Sequence, residues 1–168
     1  MKLIVAVDSN WGIGYNGDLL ARIPEDMKMF KKITLENKVV IMGRKTLESL
    51  PNGKPLKDRI NIVLTKDINY NNDDVIIVHS IEECIKYLKD NSYYENAVII
   101  GGGEIYNKFI DYCSIAYITK IYKSFDNVDT YINNLDNDDS WCIEEDTDWI
   151  ESKNGLFYKF IKYVKTFK

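Results

Sequence analysis

Asp26 is the residue whose type and position most demand a chemical role. A helix is expected from Pro24 to Ile33, because proline costs nothing in a first turn, where its missing N–H would lack a partner anyway. On that helix Asp26 shares a face with Ile23, Phe30 and Ile33, an apolar stripe. Glu25 projects about 100° away, toward Lys28 and Lys32. Desolvating an unpaired carboxylate costs roughly several kcal/mol, so Asp26 on such a face calls for a partner. An acidic residue that merely stabilises the helix dipole, by a few tenths to about 1 kcal/mol, is the plainer account, and it suits Glu25. The surroundings of Asp26 suit a cationic or amidine-like ligand offering two parallel N–H donors.

Three further segments have the form strand, turn, helix or strand, turn, cation. Ala97 to Ile100 runs through Gly101-Gly102-Gly103 into Glu104-Ile105-Tyr106, and glycines there would let backbone N–H groups approach a phosphate. Val39 to Met42 leads through Gly43 to Arg44-Lys45-Thr46, and Leu64 is followed by Thr65-Lys66. Each alone reads equally well as an ordinary turn or surface. Three such strand ends in one parallel sheet converge on one edge, where open α/β sheets bind ligands, and together they point to an extended anionic cofactor. The glycine-bearing segment Val7 to Leu19 leads into the Asp26 helix and is expected as a connecting loop that could act as a lid.

The elements that must position these groups are readable from apolar runs. Leu3–Val7, Val39–Met42, Ile60–Leu64, Val75–Val78 and Ala97–Ile100 are nearly continuous apolar stretches, as expected of strands covered on both faces. Helices are expected at Pro24–Ile33, at Arg44–Leu50, after the capping box Ser80-Ile81-Glu82-Glu83, and at Glu104–Ile110. Longer strands are expected at Ile115–Tyr122, Trp141–Glu145 and Leu156–Val164, the last two forming a hairpin around a turn at Asn154-Gly155. The fold class is therefore α/β: one domain over residues 1–168, with an eight-stranded, mostly parallel mixed sheet, about four helices and a C-terminal antiparallel hairpin.

Composition narrows the function classes. The 22 Lys+Arg and 26 Asp+Glu give −4, which argues against nucleic acid as a partner. That average hides two unlike regions. Nine acids and no base lie between Asp126 and Asp148, leaving 17 acids against 22 bases elsewhere, a charge of +5. Cys84, Cys113 and Cys142 lie 29 residues apart with no CxxC, and His79 is the single histidine, so no metal site is expected. His79 reads as surface or structural. The opening MKLIVAVDSN is too short for a signal-peptide core or a membrane span, and the sparse cysteines suit a reducing, cytoplasmic setting.

Taken together, Gly17-Asp18-Leu19, Ile23-Pro24-Glu25-Asp26 with Phe30, Val40-Ile41-Met42-Gly43-Arg44-Lys45-Thr46, Ile100 to Tyr106, Tyr117-Ile118-Thr119 and Val128-Asp129-Thr130 resemble dihydrofolate reductase over essentially the whole chain. The resemblance implies NADPH-dependent reduction of dihydrofolate to tetrahydrofolate in one-carbon metabolism, sensitivity to antifolates, and a monomer. It implies that Asp26 holds the pterin's amino-pyrimidine side, with the Thr119 hydroxyl supporting the carboxylate. Ile4, Val5, Ala6, Met27, Phe30, Leu50 and Ile100 would wall the pterin and nicotinamide, Leu56 would touch the benzoyl ring, and Arg59 would pair with the glutamate tail. Arg44, Lys45, Thr46, Thr65 and Lys66 would hold the cofactor phosphates, with Ala6, Ile13, Gly43, Leu64, Gly103, Glu104 and Ile105 beside the cofactor. Gly101-Gly102 matches a cis Gly-Gly peptide, rare for a non-proline bond, and Tyr106 would sit against the nicotinamide. Gly14, Asp18 and Leu19 belong to the implied lid, with Asp129 bracing it.

One departure stands out: the family has Leu-Pro-Trp where this chain has Leu19-Leu20-Ala21, which removes an indole from the substrate edge. A same-fold pyrimidine reductase of riboflavin synthesis and a catalytically silent folate- or nucleotide-binding module are the alternatives.

Overall fold

The computed structural model describes residues 1–166. In chain order the elements are β1 (Lys2–Val7), β2 (Gly12–Tyr15), β3 (Asp18–Leu19), α1 (Pro24–Asn37), β4 (Val39–Gly43), α2 (Arg44–Ser49), β5 (Ile60–Leu64), β6 (Ile76–Val78), α3 (Ile81–Asp90), β7 (Ala97–Gly101), α4 (Gly103–Phe109), β8 (Ile115–Ile121), β9 (Thr130–Tyr131), β10 (Trp141–Asp146), β11 (Ile150–Glu151) and β12 (Phe157–Lys165). Eight strands form the main sheet in the order β10-β12-β8-β1-β7-β4-β5-β6, and β11 pairs with β12 beside that path. From β8 to β6 the pairs are parallel, while β12 runs antiparallel to both β8 and β10.

Alternation along β1 shows why the central strands read as continuously apolar. Leu3, Val5 and Val7 enter a core that α3 and α4 cover with Cys84, Leu88, Ile105 and Phe109. Ile4 enters the opposite core, closed by Ile33 of α1 and Leu47 of α2. Both faces are covered, so neither strand face needs polar residues. Ser80 caps α3 as expected, its hydroxyl accepting from the Glu83 N–H at 3.0 Å, while the Glu83 carboxylate reaches back to the His79 N–H at 2.7 Å rather than to that of Ser80.

Two expectations are corrected. The segment after β1 is not merely a loop, because β2 pairs antiparallel with β3 and with β9 in a separate three-stranded sheet. The Asn154-Gly155 turn, with Gly155 at φ 83°, closes the short β11–β12 pairing rather than joining β10 to β12. β10 joins β12 farther along, across a bulge at Ile143/Glu145. Among the described residues, four of the nine acids in the acid-rich segment are ion-paired at this end: Asp136 with Lys120 (2.5 Å), Asp146 with Lys159 (3.1 Å), and Glu144 and Glu145 with Lys162 (2.5 and 3.8 Å).

Candidate active site

Asp26 lies in the first turn of α1, beside β8. Its Oδ1 accepts a hydrogen bond from the Thr119 hydroxyl at 2.6 Å, the pairing implied by the resemblance. Among the described residues no lysine or arginine lies within ion-pair distance of Asp26. Burial therefore raises its pKa above the ordinary carboxylate value, and the Thr119 bond offsets this only in part. Glu25 turns away as expected, but it does more than face the dipole. Its carboxylate accepts from the Ser152 hydroxyl at 2.7 Å and from the Lys153 N–H at 3.3 Å, tying α1 to the β11–β12 turn.

The apolar wall is only partly the one expected. Ile4, Phe30, Leu50, Leu56 and Ile100 share one cluster between the sheet and α1–α2, joined by Met29 and Tyr117. Val5 points its side chain into the opposite core beside Trp11 and Ile13, because successive strand residues alternate, so only its main chain can face this side. Met27 follows Asp26 on the helix, is 42% exposed and is not part of that buried cluster. Ala6 packs with Ala21 and Phe125 around Ile23, Ile121 and Tyr158. Trp11 does not replace the indole missing at position 21. It is buried on the other face of the sheet, edge-on to Tyr163 at 6.0 Å.

Arg59 is held against α1 at the far end of this wall. Its Nη1 donates to the Thr34 hydroxyl and its Nε to the Lys57 carbonyl, both at 2.8 Å. Burial lowers its pKa, with Asp58 working in the opposite direction, and a guanidinium so placed stays charged. Among the described residues no carboxylate forms an ion pair with it, so the rest of its fork is free for an anion. Thr34 was not singled out from sequence, although its spacing of eight from Asp26 puts it on the same helix face.

The three phosphate-type segments do converge. Met42 pairs with Gly101 and Gly43 pairs with Leu64, so Arg44, Gly102 and Thr65 leave neighbouring strands at one sheet edge. The Gly101–Gly102 peptide is cis. A Cβ on Gly102 would lie 3.5 Å from the Thr46 hydroxyl, and one on Gly43 would lie 3.2 Å from Ile105. Neither α2 nor α4 has a side-chain cap at its start, which leaves N–H groups for an anion. Thr65 is buried, and its carbonyl accepts from His79 Nδ1 at 2.8 Å, giving His79 the structural role expected of it. Lys45 and Lys66 are exposed, and Lys66 sits 3.9 Å from Glu104, which also pairs with Lys108 at 2.6 Å. This glycine-lined edge with cations and hydroxyls fits a dinucleotide carrying several phosphates.

Between the two regions stands Tyr106, fully enclosed, its hydroxyl donating to the Ile4 carbonyl at 2.7 Å. Burial first, and the Asp26 charge second, push its pKa upward, so it is a neutral hydrogen-bond donor. Of the small sheet, Ile13 reaches this region, its Cδ1 3.6 Å from where a Cβ on Gly103 would stand, while Asp18 and Leu19 are exposed. Asp129 accepts from the Asn16 N–H at 2.9 Å and from the Thr130 hydroxyl at 2.8 Å, and both bonds lower its pKa.

A family model described as dihydrofolate reductase matches residues 1–165. The chain belongs to the dihydrofolate reductase family. It is 36% identical over 165 residues to the dihydrofolate reductase of Staphylococcus haemolyticus, covering 98% of this chain and 95% of that one. It is 34% identical over 173 residues to the dihydrofolate reductase of Drosophila melanogaster, covering 95% and 94%. Among solved structures, a dihydrofolate reductase from Enterococcus faecalis, in complex with NADP(H) and RAB-propyl, superposes with a TM-score of 0.85 at 27% identity. That match covers 99% of this chain and 96% of the other.

Proposed function

We infer that this chain is an NADPH-dependent dihydrofolate reductase, a single catalytic domain acting as a cytoplasmic monomer. The observation that carries the reading is Asp26, a half-buried carboxylate with one hydroxyl partner beside an apolar wall, ending at Arg59, which has no ion-pair partner among the described residues. Such a cleft fits a flat, amidine-bearing ring with an anionic tail. The glycine-lined sheet edge fits NADPH, which supplies the hydride when bound.

Asp26 would hold the pterin's amino-pyrimidine edge through two parallel hydrogen bonds, and Thr119 would fix the carboxylate's orientation. The negative charge of Asp26 favours a proton on the ring nitrogen next to the carbon that is reduced. Ile4, Phe30, Leu50 and Ile100 would set the ring plane and exclude water, and Arg59 would fix the tail. Arg44, Lys45, Thr46, Thr65 and Lys66 would hold the phosphates, and Tyr106 would line the junction between the two ligands. Residues 12–19, braced by Asp129, would cover the site.

Steady-state NADPH oxidation in the presence and absence of dihydrofolate tests the reading, with NADH run in parallel. Turnover that needs dihydrofolate and prefers NADPH is expected. Tight binding of an antifolate without NADPH oxidation would instead mark a silent binding module, and dependence on a ribosylated pyrimidine would mark the riboflavin-type reductase.

A further inference from the structure

Asp8 is a buried ionisable residue to which the reading above gives no task. It follows β1 directly and is 2% exposed. Its two oxygens serve different parts of the chain. Oδ1 accepts from the Asn10 N–H at 2.9 Å and the Gly12 N–H at 2.8 Å, at the root of the small sheet. Oδ2 accepts from the Phe125 N–H at 3.2 Å, in the segment between β8 and β9.

What each oxygen holds faces a different ligand. Past Gly12 comes Ile13, whose Cδ1 lies 3.6 Å from where a Cβ on Gly103 would stand, so this arm rests on the cofactor's glycine run. Phe125, like Ala6 and Ala21, packs against the small cluster of Ile23, Ile121 and Tyr158, where the chain enters α1 one turn before Asp26, so that arm rests on the side of the cleft given to the substrate. The space around the first arm is tight. A Cβ on Gly12 would fall 2.6 Å from Val128 and 3.1 Å from Asp8 Oδ1. Further bonds keep the two segments in register: the Ser9 N–H to the Lys123 carbonyl at 3.0 Å, and the Ile132 N–H to the Trp11 carbonyl at 3.2 Å.

We propose that Asp8 is a positioning residue for the reductase reaction, its Oδ1 setting the cofactor-side cover and its Oδ2 setting the Phe125 wall of the substrate site. The proposal rests on the reading of the cleft as the dihydrofolate and NADPH site, which wild-type turnover tests by itself. The carboxylate matters because it is acceptor-only at both oxygens, whereas an amide is not. Asp8→Asn keeps one acceptor, which two lid N–H groups claim, and turns an NH2 toward the Phe125 N–H. Donor then faces donor on the substrate side alone.

The test measures the NADPH Kd and the dihydrofolate KM and kcat for Asp8→Asn, Asp8→Ala, Phe125→Ala and the double variant Asp8→Asn/Phe125→Ala. Loss of a hydrogen bond to a charged group predicts a rise of about tenfold or more in the dihydrofolate KM of Asp8→Asn, with its NADPH Kd nearly unchanged. Asp8→Ala, which frees both arms, is expected to weaken NADPH as well. Phe125→Ala is expected to reproduce the substrate defect, and the double variant to be little worse than either single one, because both act through the same wall. Equal weakening of both ligands by Asp8→Asn, no effect on either, or additive substrate defects in the double variant would overturn the proposal. Asp8→Asn is close in shape to the native residue, so the question stays answerable if Asp8→Ala does not fold.

Discussion

Replacing Asp26 by Asn separates what the residue does for folding from what it does for catalysis, because the two effects have opposite signs. The structure gives the carboxylate one hydroxyl partner at 2.6 Å, and its burial raises the pKa. In the linkage relation, a carboxyl whose folded pKa lies above its unfolded value binds more protons when folded, between those two values. Unfolding free energy therefore falls as pH rises through that window and stays reduced above it. Asn keeps the acceptor for Thr119 and deletes the charge. At neutral pH the ligand-free variant should be more stable than the wild type by about 1 kcal/mol, a common gain when a functional charge is removed. For a chain of this length that is a rise of roughly 2–4 °C in Tm. The difference should vanish in acid, below an unfolded-state value of about 3.9. Catalysis should move the other way, with kcat/KM at neutral pH falling about 10²–10³-fold, the usual cost of removing a preorganised charge partner. Activity should partly recover at low pH, where the substrate carries its own proton. Denaturation curves at acid and neutral pH, with NADPH oxidation across the same range, measure both arms. Wild-type turnover at neutral pH, or a loss of stability there, would refute the account of Asp26 as an unpaired, ligand-directed carboxylate.

Thr119→Val removes the hydroxyl that lowers the Asp26 pKa, so the pKa seen in the pH profile of kcat/KM should move upward. Arg59→Met should raise the dihydrofolate KM about 10–100-fold, the span of a lost charged hydrogen-bond pair, while a pterin lacking the glutamate tail is unaffected. Gly103→Ala would place a Cβ 2.4 Å from Thr130, so urea denaturation should show a loss of about 1–3 kcal/mol, accompanied by a higher NADPH KM.

The central architecture was legible because it is written in strongly apolar runs. β1, β4, β5 and β7 bury both faces, so each appears as a nearly continuous apolar stretch, broken in β5 by Asn61, within a residue or so of its observed ends. Asp26 was legible for the complementary reason, as a charge on a face that the helical period assigns to the interior. The small sheet was not. β2, β3 and β9 have four, two and two residues, mostly glycine or exposed, and their pairing is fixed by Asp129 more than a hundred residues away. The Asn16-Gly17 turn, with both residues at positive φ, was the available signal for the β2–β3 hairpin. Asp8 gave no signal, since a carboxylate bonded to nearby N–H groups looks like any loop aspartate until its distant partner Phe125 is known. The missing indole at Ala21 was visible in sequence, but only the packing shows that Trp11 lies on the wrong face to replace it.

The distribution of ion pairs bears on how ligands first arrive. Of the nine acids between Asp126 and Asp148, four are paired with lysines of β8 and β12, so part of that end is locally neutralised. Lys28, Lys31 and Lys32 on α1, and Lys54, Lys57 and Arg59 on the chain facing it, have no carboxylate at ion-pair distance among the described residues. A chain of negative net charge thus carries a local excess of cations around Arg59, on the side where the proposed function has an anionic ligand enter. Encounter is then guided over roughly a Debye length, about 10 Å at 0.1 M salt, and association should slow as salt shortens that reach.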